Sequence, residues 1–254
     1  MANFRIGCAV WAYKEWLGDF YPTGSRATDF LRLYGQRMTC VEGNTTFYSI
    51  PSPEIVQRWA ENTPDTFHFC PKLPRTVTHE GALIPQLHNA LNFLQLMQGL
   101  GPRLGPIFAQ LPPRYSPASF ADLEKFVAGW PHTANPLAVE VRHLDWFKPP
   151  QSDRLDALLS RFGVGRVLLD TRAIFTWSNS AEDPQLRSDR KKPRVPLLPM
   201  ATAPFVLVRY ISHPDLDRNR DFLAEWVDHV SYWLATGLSV YFFVHCPNEA
   251  KSPE

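Results

Sequence analysis

Eight short apolar segments recur along the chain, and each is followed by a polar turn or by helix-forming sequence. Between most of them, apolar residues return at three- and four-residue spacing, which predicts amphipathic helices. Strands that alternate with helices predict an α/β fold, and eight such units predict a (β/α)8 TIM-type barrel. No linker divides the pattern, so we expect one domain over residues 1–254. The predicted strands cover residues 4–10, 39–46, 67–73, 107–111, 137–143, 166–170, 205–211 and 239–245.

Two places depart from this repeating unit. Residues 174–204 show no helical spacing, which predicts a long β6–α6 connection, and they contain the basic segment Arg187–Arg194. The sequence also ends nine residues after His245 without a helical pattern, so the eighth helix is expected to be missing. Two explanations stay open: a truncated chain, or a barrel that leaves one strand junction partly uncovered.

Charge and cysteine usage narrow the class of protein. The formal net charge is +1 over 254 residues, so global charge gives no reason to expect a nucleic-acid or membrane partner. No run of about 18 apolar residues occurs, which predicts that no segment spans a membrane. The four cysteines have no CxxC spacing and lie in apolar segments, which predicts buried, reduced thiols and a cytoplasmic protein.

Several short motifs follow one another in a fixed order across nearly the whole chain. They are Gly7–Tyr13, Phe20–Pro22, Glu42–Tyr48, Pro51–Glu54, Cys70–Arg75, Phe108–Pro113, Glu140–His143 and Asp170–Thr171. In this order they resemble the domain-of-unknown-function 72 family, the YecE-like proteins. The resemblance implies a TIM-type barrel. It implies little about activity, because the family has no generally established reaction, although a relation to metal-dependent endonuclease barrels of the endonuclease IV type has been proposed for it.

The chain departs from the family pattern at three strand ends. Val10 stands where the family has a glycine, and Arg209–Ser212 replaces an Arg-Leu-His-Gly run. Phe243–His245 replaces a run similar to Asn-Asn-His. These changes are expected to remove polar groups from the mouth of the barrel, so an activity shared by the family could be altered or lost here.

The stretch Thr39–Pro53 contains the first group of candidate site residues. It begins as a buried strand and then places Glu42, Asn44 and Thr46 at every second position. Successive side chains of a strand point to opposite faces, so these three side chains are predicted to share one face. A carboxylate carried inward just before a helix is typical of the active end of an α/β barrel.

Ligands of such barrels bind at the C-terminal ends of the strands, and polar residues concentrate at those ends in this sequence. The candidate catalytic residues are Glu42, Lys72, Glu140 and Asp170. The candidate substrate-binding residues are Trp11, Tyr13, Asn44, Thr46, Tyr48, Gln110, Arg142, His143, Arg172, Arg209 and His245.

The charges in this set nearly balance, so a purely structural ion-pair network is one interpretation. Their concentration at one end of the strands favours a site. Arginine and lysine side chains suit phosphate or carboxylate groups. We therefore predict a hydrolase or lyase-type enzyme that binds a small-molecule anion, a phosphorylated substrate or a nucleic-acid-derived substrate.

Roles follow from the residue types. Glu42 or Glu140 is the predicted general base, because burial among apolar neighbours can move the pKa of a carboxyl group towards neutrality. Asp170 is predicted to orient a water, a cation or Arg172. Lys72 is predicted to hold the anion of the substrate together with Arg142, Arg172 and Arg209.

Alternatives stay open for cofactors and for function. No cofactor is predicted, although a divalent metal could bind Glu140, Asp170 and His245. A non-catalytic module could hold nucleic acid or a protein with the same mouth and the basic segment. A glycosidase could use Glu42 and Glu140, and the separation of their carboxylates would decide that case.

Overall fold

Eight strands occur in the predicted order in the computed structural model, which describes residues 3–133, 135–176 and 192–254. Each strand begins within two residues of its predicted start. The strands are β1 Phe4–Cys8, β2 Cys40–Gly43, β3 His68–Pro71, β4 Ile107–Gln110, β5 Leu137–Glu140, β6 Gly165–Asp170, β7 Phe205–Ile211 and β8 Ser239–His245.

Nine α-helical segments lie among the described residues, and the longer ones match the predicted amphipathic patterns. The helices are α1 Phe30–Gly35, α2 Thr45–Tyr48, α3 Pro53–Glu61, α4 Arg75–Thr78, α5 Leu87–Met97, α6 Phe120–Ala128, α7 Gln151–Phe162, α8 Arg172–Phe175 and α9 Arg220–Ala235. After β8 a 3-10 turn, Glu249–Lys251, packs against the start of the chain, because Trp16 Nε1 donates to the carbonyl of Glu249 at 3.1 Å.

The strands pair in parallel in two sheets. Six of them form one sheet in the order β1-β8-β7-β6-β5-β4, and β2 pairs with β3. Isolated bridges, Phe69 with Leu104 and Lys72 with Phe108, connect β3 to the β4 side. The fold is therefore α/β with a mostly parallel sheet, as predicted, whereas a closed eight-stranded ladder is not confirmed.

Local chemistry explains the interruption between β3 and β4. Gly105 donates to the carbonyl of Phe69 at 2.7 Å, and Leu73 donates to the carbonyl of Phe108 at 3.0 Å. Between these bonds lies Pro71, which has no N–H to donate. The two strands thus run side by side with a gap in their hydrogen-bond ladder.

A tyrosine hydroxyl takes the place of the ladder between β1 and β2. The Tyr34 hydroxyl accepts from the N–H of Cys8 at 2.5 Å and donates to the carbonyl of Cys40 at 3.1 Å. Tyr34 is fully buried, so both backbone groups depend on it for a partner. The Tyr34 side chain, which comes from α1, therefore joins β1 and β2, two strands that do not pair directly along their length.

The predicted strand over residues 39–46 is wrong beyond Gly43. Asn44 has φ −62° and ψ −27°, a helical conformation, and the helical turn α2 follows it. Thr46 is buried, and its hydroxyl donates to the carbonyls of Gly43 and Lys72, both at 2.7 Å. Glu42, Asn44 and Thr46 consequently do not share a strand face.

The connection between β6 and β7 covers residues 171–204. It begins with the short helix α8, and residues 192–204 have no helix or strand. Residues 187–191 of the predicted basic segment lie outside the described residues, and Lys192 and Arg194 lie within them.

An apolar core fills the space between the strands below their C-terminal ends. The members are Cys40, Cys70, Phe108, Ala138, Val167, Phe205, Leu207, Tyr241 and Phe243. All four cysteines are free and buried, which confirms the predicted buried thiols.

Replacing Tyr34 tests the β1–β2 connection. Tyr34→Phe removes one oxygen and leaves two buried backbone groups without a partner, so we expect a loss of about 1–3 kcal/mol in the free energy of unfolding. Urea denaturation measures it. Tyr232→Phe, at a side chain that is 66% exposed, is the matched control and should change little. Equal stability of the two variants would contradict the bridging role.

Candidate functional site

Arg209 of β7 lies at the centre of a buried cluster at the C-terminal ends of the strands. Its Nε and Nη2 donate to the two carboxylate oxygens of Glu42 at 2.8 and 2.9 Å, a bidentate pair. Its Nη1 donates to Oε2 of Glu140 at 2.6 Å. All three side chains are at least 95% buried. One guanidinium thereby joins β2, β5 and β7.

A second arginine completes the partners of Glu140. Arg142 Nε donates to Oε1 of Glu140 at 2.5 Å, and Arg142 Nη2 donates to Oε1 of Gln110 at 2.6 Å. The same Gln110 oxygen accepts from Lys72 Nζ at 2.7 Å. Glutamine is neutral, so Lys72 gains a hydrogen bond there without gaining a compensating negative charge.

Above this cluster lies a cavity of about 280 Å³. It combines cationic groups with two histidines, and no carboxylate lines it among the described residues. The lining residues are Asn44, Phe47, Tyr48, Lys72, Arg75, His79, Gln110, Arg142, Leu169, Lys192, Pro193, Arg209, Ile211 and His245. Within the described part of the chain, Lys72, Arg75 and Lys192 form no ion pair with a carboxylate, whereas Arg142 and Arg209 are paired.

The two buried glutamates stay ionised. Burial by itself would raise the pKa of Glu42, but the charge of Arg209 and the contact with His245 outweigh it and hold the pKa well below its usual value. For Glu140, Arg142 and Arg209 likewise outweigh burial and lower the pKa to about 2. The predicted shift towards neutrality is therefore wrong, because arginine pairing dominates over desolvation.

Lys72 is a cavity-lining group whose protonation changes near neutral pH. Burial and the nearby charge of Arg209 lower its pKa from 10.5 to about 7, although Glu140 and Glu42 act in the opposite direction. Its Nζ lies 4.0 Å from the centre of the Phe47 ring. Neither the apolar ring of Phe47 nor the neutral amide of Gln110 stabilises the positive charge of the Lys72 ammonium as well as water would.

The two histidines of the cavity are neutral at pH 7. His245 Nε2 lies 2.7 Å from Oε2 of Glu42, and burial lowers the pKa of His245 to about 4 despite that carboxylate. A neutral His245 donates its Nε2 proton to Glu42. Burial and the charge of Lys72 lower the pKa of His79 to about 4 as well.

Asp170 lies on the other face of β6, and Arg172 follows it as the first residue of α8. Leu169 lines the cavity, so the next residue along the strand points towards the helices. The Asp170 carboxylate accepts from Trp226 Nε1 at 2.8 Å and pairs with Arg172 at 3.0 Å, and Arg172 also pairs with Glu225. This placement does not agree with the predictions for the mouth, which gave Asp170 a catalytic role and Arg172 a contact with the substrate.

The metal set predicted from Glu140, Asp170 and His245 is not assembled. Asp170 faces the helix layer, whereas Glu140 and His245 belong to the inner cluster. Over residues 3–133, 135–176 and 192–254, no group of three or more His, Cys, Asp or Glu is placed to hold a metal ion.

Other predicted residues also lie apart from the cavity. Trp11 packs edge-on against Trp59, with ring centres 5.3 Å apart, and the Tyr13 hydroxyl donates to Glu15 at 3.0 Å. His143 caps the 3-10 turn Leu144–Phe147 by accepting from the N–H of Asp145. Thr46 holds the backbone of Lys72, whose N–H donates to the Thr46 hydroxyl at 3.1 Å.

The predicted residues that do line the cavity come from the ends of six strands, β2, β3, β4, β5, β7 and β8, and from α2. They are Asn44, Tyr48, Lys72, Gln110, Arg142, Arg209 and His245, with Glu42 and Glu140 directly beneath. The sequence prediction missed Phe47, Arg75, His79 and Lys192. Phe47 and Arg75 belong to the motifs Glu42–Tyr48 and Cys70–Arg75, so the motifs contained a signal for both.

Fold and site together define an α/β protein with a buried arginine–glutamate cluster beneath a cationic cavity. The family model described as "Protein of unknown function DUF72" matches residues 5–254, and the chain belongs to this family. The expected family is therefore confirmed over nearly the whole chain.

Curated relatives and solved structures agree with this assignment. UPF0759 protein YecE of Escherichia coli K12 is 36% identical over 253 residues, which covers 98% of this chain and 88% of the relative. UPF0759 protein YunF of Bacillus subtilis is 26% identical over 157 residues, covering 57% of this chain and 52% of the relative. A DUF72 family protein from Thermotoga maritima has a TM-score of 0.72 at 20% identity, with 98% of this chain and 94% of that chain covered.

The departures from the family pattern lie mostly outside the cavity. Tyr210 is buried on the helix side of β7, where its hydroxyl donates to Asn219 at 2.9 Å. Val244 packs with the outer apolar cluster, and Phe243 belongs to the core below the charged residues. Ser212 donates to the backbone of His245. Ile211 does line the cavity, at the position where the family run has a histidine, so the expected loss of a polar group from the mouth stays a prediction that rests on Ile211.

The bridging role of Arg209 can be tested by removing its charge. Arg209→Met leaves Glu42 and Glu140 buried without their shared cation, so we expect a loss of about 3–5 kcal/mol in the free energy of unfolding. Arg220→Met removes an exposed arginine that pairs with Asp217, and should cost less than about 1 kcal/mol. Urea denaturation at pH 7 compares the two, and similar losses would contradict the central role of Arg209.

The lowered pKa of Lys72 predicts that the stability of the fold depends on pH. Its pKa is about 7 in the folded chain against an ordinary 10.5, so the unfolded chain binds more protons between these values. The free energy of unfolding should therefore rise with pH from about 7 towards 10.5, and Lys72→Met should remove this contribution. Denaturation of both proteins across this window measures it, with Lys125→Met as control. A constant difference between wild type and Lys72→Met would contradict the prediction.

Proposed function

We propose that this protein is an enzyme that binds a small anionic substrate, a phosphorylated compound or a carboxylate, in the cationic cavity. The observation that supports it is the set of cations without ion-pair partners, Lys72, Arg75 and Lys192, around a cavity lined by no carboxylate of the described residues. A cavity of this kind attracts anions because the lining charges are not neutralised where a ligand would lie.

The charges of the cluster support an anion more than a cation. Five lysine and arginine side chains line the cavity, whereas the two buried carboxylates beneath it are both bound to arginines. An anion that entered the cavity would therefore be attracted by an excess of positive charge. Planar guanidinium groups at Arg75 and Arg142 suit the oxygens of a phosphate or carboxylate.

The proposed roles differ from those expected from the sequence. Lys72 transfers protons, because its pKa of about 7 allows both protonation states at neutral pH. Glu42 and Glu140 position the arginines and carry no proton at that pH. A glycosidase needs a protonated acid beside the bond that breaks, so the low pKa values of this carboxylate pair argue against that alternative.

The size of the cavity favours a small molecule. Ligand sites commonly have volumes of roughly 300–1,000 Å³, and this cavity of about 280 Å³ lies at the lower end. We propose that the eight strands surround it as a TIM-type barrel in one domain, with the cavity at the mouth. Nucleic-acid binding through the basic segment stays a prediction, since residues 187–191 lie outside the described part of the chain.

Binding of inorganic phosphate tests the proposal. Arg75 is exposed at the rim of the cavity and has no ion pair among the described residues, so Arg75→Met should leave the fold intact. We expect it to weaken phosphate binding by about tenfold or more, the effect of losing one charge-assisted hydrogen bond. Isothermal titration calorimetry measures the affinity.

Lys148→Met is the matched control, because Lys148 is exposed and pairs with Asp145. It should bind phosphate as the wild type does. Undetectable binding by the wild type, or equal losses in both variants, would contradict an anion site in the cavity.

A further inference from the structure

We infer that Lys72 forms an imine with its substrate, and that the substrate is an aldehyde or ketone carrying a phosphate or carboxylate group. The inference deepens the proposed function and rests on it, because the same cavity must hold the anionic group. It assigns a covalent role to Lys72 Nζ. It also adds a carbonyl group to the anionic group that the substrate is proposed to carry.

The surroundings of Nζ leave it open to a ligand. Among the described residues its one hydrogen-bond partner is Oε1 of Gln110 at 2.7 Å. On another side lies the face of Phe47, at 4.0 Å from the ring centre. The side chain itself is buried, and the residue lines the cavity. A lysine that only stabilised the fold would pair with a carboxylate, and Glu42 and Glu140 are instead bound to arginines.

The other cations of the cavity suggest a division of roles. Arg75 has no carboxylate partner among the described residues, and its guanidinium can hold an anion without help from Lys72. Lys72 differs because burial and the neighbouring Arg209 favour its uncharged amine. Desolvation and an adjacent cation are the two means by which proteins activate a lysine as a nucleophile.

The proposed step is balanced without any further reactant. The lone pair of the uncharged Nζ attacks the carbonyl carbon, the C–N bond forms as the π bond of the carbonyl breaks, and one proton passes from the nitrogen to the oxygen to give a neutral carbinolamine. The resulting carbinolamine then takes up a proton and loses its hydroxyl group as water. Nitrogen and carbon share a double bond in the product, a cationic imine.

A cationic imine would extend the chemistry of the site. It withdraws electrons from the neighbouring carbon, so a proton or a carbon substituent on that carbon can leave without its electron pair. His79 lines the same cavity with its ring 4.9 Å from that of Phe47, and it is neutral at pH 7. A neutral imidazole can accept such a proton. The imine thus fits a lyase or an isomerase acting next to a carbonyl group.

Trapping with a reductant tests the inference on the wild-type protein. The chain is incubated at pH 7.5 with glycolaldehyde phosphate and sodium cyanoborohydride, which reduces an imine to a stable secondary amine. Intact mass and peptide mapping then locate the adduct. We expect one adduct per chain, on Lys72, formed at least about tenfold faster than on Lys148, because about one ordinary lysine in a thousand is uncharged at this pH.

Matched variants and competitors sharpen the result. Lys72→Arg keeps the positive charge but cannot form an imine, so it should abolish the fast labelling and still bind phosphate. Excess inorganic phosphate should slow labelling of the wild type. Peptide mapping of the labelled wild-type protein locates the adduct without any variant. The test therefore remains decisive even if a variant does not fold.

Three outcomes would overturn the inference. Labelling spread evenly over exposed lysines, or found on Lys192 in the same cavity, would show that Lys72 is not the reactive amine. Equally fast labelling by glycolaldehyde, which lacks the phosphate, would overturn the anionic part of the substrate class. An unlabelled Lys72 in a protein that binds inorganic phosphate would overturn the imine and leave the proposed anion site standing.

Discussion

The pairing of Arg209 with Glu42 and Glu140 is the interaction on which the rest of the site depends. Two carboxylates and one guanidinium buried among apolar strands would each be costly alone. Together they form four charged contacts, counting the one from Arg142 to Glu140. The cluster therefore holds three strands together at one end of the sheet, and removing any member leaves an uncompensated charge.

This pairing also decides the state of Lys72. Because arginines already occupy the carboxylates, the lysine bonds to the neutral Gln110 and faces an aromatic ring. Its burial and the charge of Arg209 then disfavour the ammonium form. The buried ion-pair network and the lowered pKa of Lys72 are thus two results of one arrangement.

Much of the fold could be predicted because strand burial and helical spacing leave local marks in a sequence. The eight strands and the longer helices were found in this way, and so was the concentration of charge at one end. The breaks in the strand ladder were not predicted, since the gap at Pro71 and the hydroxyl bridge of Tyr34 depend on how neighbouring strands meet. The turn at Asn44 was missed for a related reason, because Thr46 satisfies backbone groups of another strand.

The sequence by itself determined the order of the elements, the family motifs and which residue types stand at the strand ends. Tertiary structure alone decided which of those residues meet. Asp170 and Arg209 both lie near strand ends, yet one faces the helices and the other the interior, because side chains alternate along each strand and register fixes the face. It also decided the pKa values, since the effect of a buried charge depends on partners distant in sequence, as Arg209 and Glu42 are.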